Sequence, residues 1–537
     1  MKFGAIAISE AAGAILAHSL RQSGLSLKKG RVLTESDIDA LAEAGIDSVV
    51  AACMEDGDIS EDKAASRIAE ALTGAGISAA EAFTGRVNLI ANADGLVTFD
   101  AHAIEKVNLV DEAVTVATAP PFERASENQI VATIKIIPYA VPGKIIDKCI
   151  NAAKKANADI SLVTFRAKKI ALAQTTLGTI KESVLAKTAE ITQTRVQGLG
   201  STLLYDERLA HTESDVAVAV KKAAKEGADI FLIAGASAIT DRRDVIPAGI
   251  VEAGGEVVHC GMPVDPGNLL LVGNFDGMAV IGLPGCARSP KFNGIDLVLR
   301  RLAADLPVTS EDIMALGVGG LLKEIADRPS PRSAAKETLP SAPRIAGLIL
   351  AAGQSRRMGS VNKLLAEVDG EPMVRRAAAI VTASQAAPVI TVTGHESEKV
   401  AEALKDFDLT LVHNPAYADG ISGSLQRGLA AMPTDIDGVV VCLGDMPRVS
   451  EHVIDKLVAA FSPTEQREIC VPTWQGKRGN PVLLGRRFFS EINDISGDVG
   501  ARGLLGAYPE LICEVEMEND SILLDIDTPE ALEKANA

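Results

Sequence analysis

Aromatic residues are scarce in this chain, where Phe, Trp and Tyr together make up 3% of 537 residues. Hydrophobic residues nevertheless reach 47%, so the buried cores must be built mainly from Ala, Val, Leu and Ile. Buried strands of such residues are typical of parallel α/β layers and argue against a β-sandwich. A chain of this length is expected to fold into roughly two to four domains.

Cysteine pairs, long apolar runs and excess positive charge are also lacking. The seven cysteines never form a Cys-x-x-Cys pair, which argues against a metal cluster and a disulfide framework. No apolar run reaches the roughly 18 residues of a membrane span, and Glu10 and His18 interrupt the N-terminus in a way that a signal peptide does not allow. We therefore expect a cytoplasmic protein without a membrane partner. The net charge of −18 argues against nucleic acid as a partner.

The most informative segment is a strand pattern followed by a loop rich in glycine and cations. Residues 345–350 are apolar and β-branched, as in a buried parallel strand. The following loop contains Gly353, Ser355, Arg356, Arg357 and Gly359, and then Lys363. Glycines allow backbone N–H groups to surround phosphate oxygens, and cations neutralise the phosphate charge. The segment predicts a polyphosphate site at the end of a strand; the alternative is an ordinary Gly/Arg turn after an edge strand.

The run Ala351-Ala-Gly-Gln-Ser-Arg-Arg-Met-Gly359, with Asn362-Lys363 after it, resembles the nucleotidyltransferases that activate sugars, terpenoid precursors and pterin cofactors. Within them, the nearest likeness is to the molybdenum cofactor cytidylyltransferases. The resemblance implies a Rossmann-like, glycosyltransferase-A-like domain over residues 344–537.

The same resemblance assigns roles within the loop. It implies that Arg356, Arg357 and Lys363 are catalytic. It also implies nucleotide contacts from Ala351, Ala352, Gly353, Ser355 and Gly359. Ala351-Ala352-Gly353 matches the cytidylyltransferases, whereas the guanylyltransferase relatives usually carry Ala-Gly-Gly, so the expected nucleotide is CTP.

Two acidic positions at the ends of strand patterns predict a magnesium site. Asp445 ends one apolar pattern, and Asp527 ends the pattern 523–526, ahead of a helix that begins with Pro529. A carboxylate beside a triphosphate is repelled unless a cation bridges them, so Asp445 is expected to bind Mg²⁺, contact the nucleotide and act in catalysis. The resemblance implies that Asp527, less so Asp525, completes the metal site. The alternatives are a turn aspartate at Asp445 and a helix N-cap at Asp527.

Three further residues match the family pattern. Ser424 lies in a segment that resembles a nucleotide-contacting loop, although Ile421 and Gly423 stand where the family usually has Met and Ser. Asn480 would line the acceptor side of the site. Arg502 ends a glycine-rich turn, where it can face a phosphate.

Residues 168–306 alternate strand and helix patterns, as in a βαβ series. Their loops Ala234–Ile239, Asp241–Pro247 and Gly282–Ser289 resemble the molybdopterin-binding domain of molybdenum insertases and molybdopterin adenylyltransferases. The resemblance implies a three-layer α/β domain that contacts the pterin through Ser237, Asp244, Gly282, Pro284 and Gly285. Ala234 replaces a family glycine and Cys286-Ala287 replaces Asn-Pro, which leaves insertase activity open. Asp244 alternatively only caps a helix.

The chain is expected to divide into four parts. A mixed α/β region, residues 1–165, is associated with a molybdopterin-binding domain, residues 166–320. A linker rich in proline and serine, residues 321–343, precedes the nucleotidyltransferase domain, residues 344–537. Within the first part, Thr34-Glu-Ser-Asp37 predicts a helix start with a capping box.

Together these patterns predict an enzyme that transfers CMP from CTP to molybdopterin, expected to be loaded with molybdenum, and releases pyrophosphate. The expected cofactor is Mg²⁺, and a molybdoenzyme of the cytosine-dinucleotide class is the expected protein partner. Two alternatives stay open. One is a nucleotidyltransferase that uses GTP or another phosphorylated acceptor, and the other is a cofactor-binding molybdoenzyme chaperone without transferase activity.

Overall fold

The computed structural model describes residues 1–22, 25–178, 180–322, 341–354, 362–492, 502–526 and 528–536. Within these residues the chain is mixed α/β, with separate sheets and separate hydrophobic cores. This confirms the predicted multi-domain α/β class. None of the described helices is long and apolar enough to cross a membrane.

Residues 1–165 hold small antiparallel sheets around two hydrophobic cores, one within residues 11–51 and the other within residues 64–162. The strands are β1 (Lys2–Ala7), β2 (Ile15–Leu16), β3 (Leu20–Gln22), β4 (Leu25–Leu27), β5 (Ser48–Cys53), β6 (Asp58–Ser60), β7 (Ile77–Ala79), β8 (Arg86–Ala91), β9 (Gly95–Thr98), β10 (Val114–Thr118), β11 (Arg124–Ala125), β12 (Ile130–Ile136), β13 (Ala140–Pro142) and β14 (Ser161–Thr164). The helices are α1 (Glu35–Glu43), α2 (Glu61–Leu72), α3 (Ala101–Asn108) and α4 (Gly143–Ala156). Helix α1 begins as predicted, because Thr34 and Asp37 form the capping box.

A six-stranded mixed sheet lies at the centre of the next part of the chain. Its strands are β15 (Lys169–Thr176), β16 (Thr202–Ala210), β17 (Ile230–Ala234), β18 (Glu256–Cys260), β19 (Leu271–Phe275) and β20 (Met278–Leu283), in the order β16-β15-β17-β20-β19-β18. Strands β16, β15, β17 and β20 are parallel to one another. Strand β19 is antiparallel to β20, and β18 is antiparallel to β19. The helices are α5 (Glu182–Gln197), α6 (Glu213–Lys225), α7 (Val245–Ala253), α8 (Gly294–Ala303) and α9 (Ser310–Met314). Helices α5 and α8 pack on one face and α6 and α7 on the other, which is the predicted three-layer arrangement.

The C-terminal domain is built on an eight-stranded sheet. Its strands are β21 (Ile345–Ala351), β24 (Val389–Thr393), β25 (Thr410–His413), β26 (Gly438–Leu443), β27 (Ile469–Trp474), β28 (Lys477–Arg478), β29 (Val482–Gly485) and β30 (Ile512–Glu516), while β22 (Glu367–Val368) and β23 (Glu371–Pro372) form a separate hairpin. The strand order is β25-β24-β21-β26-β29-β27-β28, with β30 beside β27. Every residue of β21 is buried, which explains its continuous apolar sequence.

Helices cover both faces of this sheet. They are α10 (Met373–Ala383), α11 (Ser397–Leu404), α12 (Ile421–Ala430), α13 (Glu451–Ala460), α14 (Phe489–Ile492), α15 (Arg502–Ala507) and α16 (Pro529–Asn536). Helices α10, α11 and α13 contribute to one core, and α12, α14 and α15 to the other. Parallel strands of such a sheet bring their carboxyl ends to one edge.

The predicted strand at 523–526 is wrong. Leu523 ends a 3₁₀ helix, Asp520–Leu523, and residues 524–526 pair with no strand of the described chain. The side chain of Asn519 accepts a hydrogen bond from Ser521 N at 3.0 Å, and this cap starts a helical turn in place of a strand. Helix α16 does begin at Pro529, as predicted.

Candidate functional site

The carboxyl ends of β21 and β26 lie side by side. Leu350 is opposite Leu443 in the parallel register, and Gly444 N donates to the Leu350 carbonyl oxygen at 3.1 Å. Ala352 is buried at this junction. Gly353 is exposed, and among the described residues no atom lies within 4 Å of where a Cβ on it would be. The described parts of the two predicted motifs therefore meet at one edge of the sheet.

An ion pair joins Lys363 to Asp445 at this edge. The two side chains are mostly buried, exposing only 14% and 16% of their surface. Gly444, the residue before Asp445, packs closely against Leu364, the residue after Lys363. A Cβ on Gly444 would lie 3.1 Å from Cδ2 of Leu364. The structure thus brings together the predicted catalytic lysine and the predicted metal-binding carboxylate.

Two further segments reach the same edge. Ile526 N donates to the Asp445 carbonyl oxygen at 3.1 Å, so the C-terminal segment passes beside the ion pair. Asn480 precedes β29, which begins at the carboxyl end of β26 because the two strands are antiparallel. The backbone N–H of Asn480 donates to the carbonyl oxygen of Ile522 at 3.0 Å. Asn480 therefore lies at the edge where the acceptor side was predicted.

Ser424 has a structural partner. Its Oγ accepts a hydrogen bond from Nδ2 of Asn414 at 3.0 Å, and Oδ1 of Asn414 accepts one from Ala416 N at 3.1 Å. Both Ser424 and Asn414 are buried. Ser424 thereby helps to hold the loop before α12, and its contact with a nucleotide stays a prediction.

Several predicted residues fall outside the part of the chain that the structure describes, namely Ser355, Arg356, Arg357, Gly359 and Asp527. Arg502 is the first residue of α15, and its side chain is likewise outside that part. In the described residues, no group of three or more His, Cys, Asp or Glu side chains is placed to hold a metal ion. Asp445 is the one described member of the predicted metal-binding pair.

A second cleft lies at the carboxyl ends of β17 and β20, in the six-stranded domain. It encloses about 100 Å³ and is lined by Ser237, Pro284 and Gly285, together with Gly235 and Arg288. Nη2 of Arg288 donates to the carbonyl oxygen of Gly235 at 2.9 Å, which ties the two loops together. Three of the five predicted pterin-binding residues therefore share one cleft.

Gly282 and Asp244 have structural tasks. A Cβ on Gly282 would lie 2.6 Å from Cδ1 of Ile239 and 3.1 Å from Cβ of Leu271, so glycine fits the close packing around this strand. The Asp244 carboxylate accepts hydrogen bonds from the backbone N–H groups of Thr240 and Asp241 at 2.6 and 2.9 Å. These hydrogen bonds lower the pKa of Asp244. Asp244 thus holds the turn before α7, and contacts of Gly282 and Asp244 with a pterin stay predictions.

Three polar residues beside the two sites are absent from the predicted set. Thr175 and His211 form a hydrogen-bonded chain with Ser237. In the C-terminal domain, Oδ1 of Asn362 accepts from Leu364 N at 3.1 Å, which helps to place the turn that carries Lys363. The sequence signal for Asn362 is the Asn-Lys pair of the motif. For Thr175 and His211 it is only a polar residue at the end of a strand pattern.

Comparison with known proteins identifies the C-terminal domain. Residues 347–511 match the family model described as the MobA-like NTP transferase domain. This part of the chain is a nucleotidyltransferase domain. Residues 5–53 match a domain of unknown function, DUF8806.

Three curated relatives show how far the similarity extends. Nicotine blue oxidoreductase of Paenarthrobacter nicotinovorans is 26% identical over 35% of this chain and 95% of its own length. Molybdenum cofactor cytidylyltransferase of Escherichia coli is 29% identical over 34% of this chain and 91% of its own length. A probable molybdenum cofactor guanylyltransferase of Natronomonas pharaonis is 30% identical over 24% of this chain and 60% of its own length. Relatives named for cytidylyl and guanylyl transfer are about equally similar, so they do not distinguish the nucleotide.

Proposed function

We propose that this chain transfers CMP from CTP to the terminal phosphate of molybdopterin, loaded with molybdenum, and releases pyrophosphate. The C-terminal domain carries out the transfer, and residues 166–320 hold the pterin. The observation that supports this most directly is the Lys363–Asp445 ion pair beside the end of β21, where Ala352 and Gly353 follow. It combines a cation for phosphate with a carboxylate for a metal ion at one edge of a parallel sheet.

The residues at this edge fit a magnesium ion. Carboxylate oxygens are ligands that Mg²⁺ prefers. The Ile526 N–H donates to the Asp445 carbonyl oxygen, and Asp527 is the next residue in the sequence. Asp445 and Asp527 would hold the ion, which when bound would neutralise charge on the α-phosphate and on the leaving pyrophosphate.

The chain's own contribution is positioning and charge neutralisation. The acceptor phosphate is already ionised at neutral pH, so it attacks the α-phosphorus in line without a general base. Lys363, freed from Asp445, turns its ammonium group toward the triphosphate. Arg356 and Arg357, which belong to the same motif, add further positive charge against the triphosphate. Cations held in place in this way stabilise the charge that develops in the transition state.

The six-stranded domain supplies the acceptor. Ser237, Pro284 and Gly285 line its cleft, and these are residues for which the family resemblance implies pterin contacts. Joining the pterin-holding domain to the transferase in one chain raises the local concentration of a labile acceptor.

The decisive experiment measures pyrophosphate release by the purified full chain with Mg²⁺, molybdenum-loaded molybdopterin, and either CTP or GTP. Release with CTP alone supports the proposal and ties base choice to Ala351-Ala352. Equal release with both nucleotides, or release with GTP alone, overturns the choice of CTP. If neither nucleotide gives pyrophosphate release, while the Escherichia coli cytidylyltransferase is active in the same assay, the proposed transferase activity is overturned and a cofactor chaperone is favoured.

Substitution of the ion pair tests the site itself. We expect Lys363→Ala and Asp445→Asn each to lower the rate of pyrophosphate release by about 10²–10³-fold, as for the loss of one preorganised charge. Lys405→Ala is the matched control, because Lys405 pairs with Glu402 on the exposed surface, and its rate should equal that of the wild type. A wild-type rate of pyrophosphate release in Asp445→Asn would show that the ion pair takes no part in the reaction.

A further inference from the structure

Three side chains form a hydrogen-bonded chain at the carboxyl edge of the six-stranded sheet. Thr175 lies in β15, His211 directly follows β16, and Ser237 follows β17, and these three strands are neighbours. Oγ1 of Thr175 lies 2.9 Å from Nδ1 of His211, and Nε2 of His211 lies 3.1 Å from Oγ of Ser237. Thr175 is fully buried, whereas Ser237 is exposed and lines the cleft.

The buried threonine decides which nitrogen of neutral His211 carries the proton. Oγ1 of Thr175 already accepts a hydrogen bond from Ala236 N at 2.8 Å. Among the described residues, the acceptor within reach of its own hydroxyl proton is Nδ1 of His211. A buried hydroxyl proton without an acceptor is unfavourable, so Thr175 donates to Nδ1. Neutral His211 is therefore protonated on Nε2.

This proton arrangement gives Ser237 a defined role. Nε2–H of His211 donates to Oγ of Ser237, and the serine hydroxyl proton is left to donate to another group. In the described part of the chain, His211 is the one hydrogen-bond partner of that hydroxyl, so its proton is available to solvent or to a ligand in the cleft. A nucleophilic serine needs the reverse arrangement, in which the imidazole accepts the serine proton.

We propose that Thr175 and His211 are positioning residues that fix Ser237 as a hydrogen-bond donor to a phosphate oxygen of the ligand in this cleft. The inference rests on the proposed function, because it names the group that the pterin-holding domain recognises. Arg288 lines the same cleft and adds positive charge. The cavity of about 100 Å³ suits one phosphate group better than a whole pterin.

The first test reads the tautomer directly. The full chain, labelled with ¹⁵N in its histidines, is examined by NMR, and the His211 signals are assigned by their loss in His211→Gln. We expect neutral His211 to be protonated on Nε2. Protonation on Nδ1 would mean that Ser237 donates to the imidazole, and it would overturn the proposal.

The second test measures binding of inorganic phosphate by calorimetry, without nucleotide. We expect Ser237→Ala to lower the phosphate affinity about 10- to 100-fold, as for a hydrogen bond to a charged group. His211→Leu should lower it to a similar extent, and His211→Gln, which keeps a donor near the Nε2 position, should retain most of it. The double variant Ser237→Ala/His211→Leu should lose no more than Ser237→Ala alone.

The outcomes separate this inference from the proposed function. Additive losses in the double variant, or unchanged phosphate affinity in Ser237→Ala, would overturn the inference, since His211 would then not act through Ser237. A phosphorylated pterin that binds more tightly than inorganic phosphate, with the same dependence on Ser237, supports a cofactor phosphate as the ligand group, and equal binding supports free phosphate on the same donor. Neither test involves CTP, so failure of cytidylyl transfer would leave both results standing.

Discussion

If Asp445 binds magnesium as we propose, the ion and Lys363 compete for one carboxylate. The ion pair is mostly buried, and a buried carboxylate without a counter-charge is costly. Lys363 therefore supplies the counter-charge that Asp445 needs in the structure. In the proposed reaction a metal ion would take over this task and leave the ammonium group to the triphosphate, so one lysine would serve both stability and catalysis.

Glu61 gives the stability of the chain a pH dependence. Burial raises the pKa of Glu61 to about 7 from its ordinary value of 4.5. Gly85 packs against the carboxylate, since a Cβ there would lie 2.7 Å from Oε2 of Glu61. Between about pH 5 and about pH 7 the folded chain keeps the proton and the unfolded chain has released it. The free energy of unfolding therefore falls as the pH rises through this window.

We expect Glu61→Gln to remove this part of the pH dependence. The variant should gain stability relative to the wild type at about pH 8 and not at about pH 4, where both states of Glu61 are protonated. Urea unfolding followed by circular dichroism across this range measures the difference. Glu70→Gln, at an exposed position on the same helix, is the control and should leave the profile unchanged. A profile like that of the wild type in Glu61→Gln would contradict the expectation.

Individual site residues were predictable where a strand pattern or a dense motif precedes them. Lys363 and Asp445 belong to such patterns, and the structure places them in contact. Ser424 and Asp244 hold loops in the structure, and their ligand contacts stay predictions, because the same polar side chains serve turns and ligands equally well. Thr175 and His211 gave no usable signal, since their relation to Ser237 depends on the order of strands in the sheet.

At the scale of elements, the segment between β28 and β29 is held in place by the 3₁₀ helix Asp520–Leu523. A Cβ on Gly479 would lie 2.3 Å from the carbonyl oxygen of Ile522. Gly479 N also donates to the carbonyl oxygen of Pro472 at 2.9 Å. Neither backbone can move without disturbing Asn480, the next residue.

We expect Gly479→Ala to lower the free energy of unfolding of the C-terminal domain by about 1–3 kcal/mol, because overpacking against backbone forces a shift. It should also raise the KM for the acceptor through displacement of Asn480. Gly506→Ala is the control, since among the described residues nothing lies within 4 Å of its Cβ position, and it should be neutral or slightly stabilising. If denaturant unfolding gave the two variants equal stability, it would show that the segment between β28 and β29 accommodates the added Cβ without loss of stability.

Elements were predictable in proportion to their length and burial. The fully buried strand β21 and the capped helix α1 lie where the sequence predicts them. The strand prediction for the short run 523–526 was wrong. A few apolar residues do not distinguish a strand from a turn, and the cap at Asn519 starts a helical turn there. Strand β19 was not predicted, and its antiparallel direction depends on the hairpin that joins it to β20.

For the whole molecule, the N-terminal region and the C-terminal domain are in contact around Phe83 and Arg86. The Arg467 guanidinium lies over the ring of Phe83 at 5.1 Å, and Arg86 pairs with Glu465 at 3.6 Å. Phe83 also packs against the C-terminal core. The predicted linker, residues 321–343, lies mostly outside the described residues and stays a prediction. A contact between residues so far apart in the chain follows only from the folded arrangement.

We expect Phe83→Ala to loosen this interface, because it removes both the packing and the cation–π contact, which is worth about 0.5–1 kcal/mol at an exposed site. The radius of gyration from small-angle scattering should increase, and the thermal unfolding of the two parts should separate into distinct calorimetric transitions. Phe83→Leu, which keeps apolar packing without the aromatic face, should give an intermediate result. Phe3→Ala is the control, since Phe3 is 59% exposed. If Phe83→Ala had the same radius of gyration and the same calorimetric transitions as this control, contacts other than Phe83 would hold the domains together.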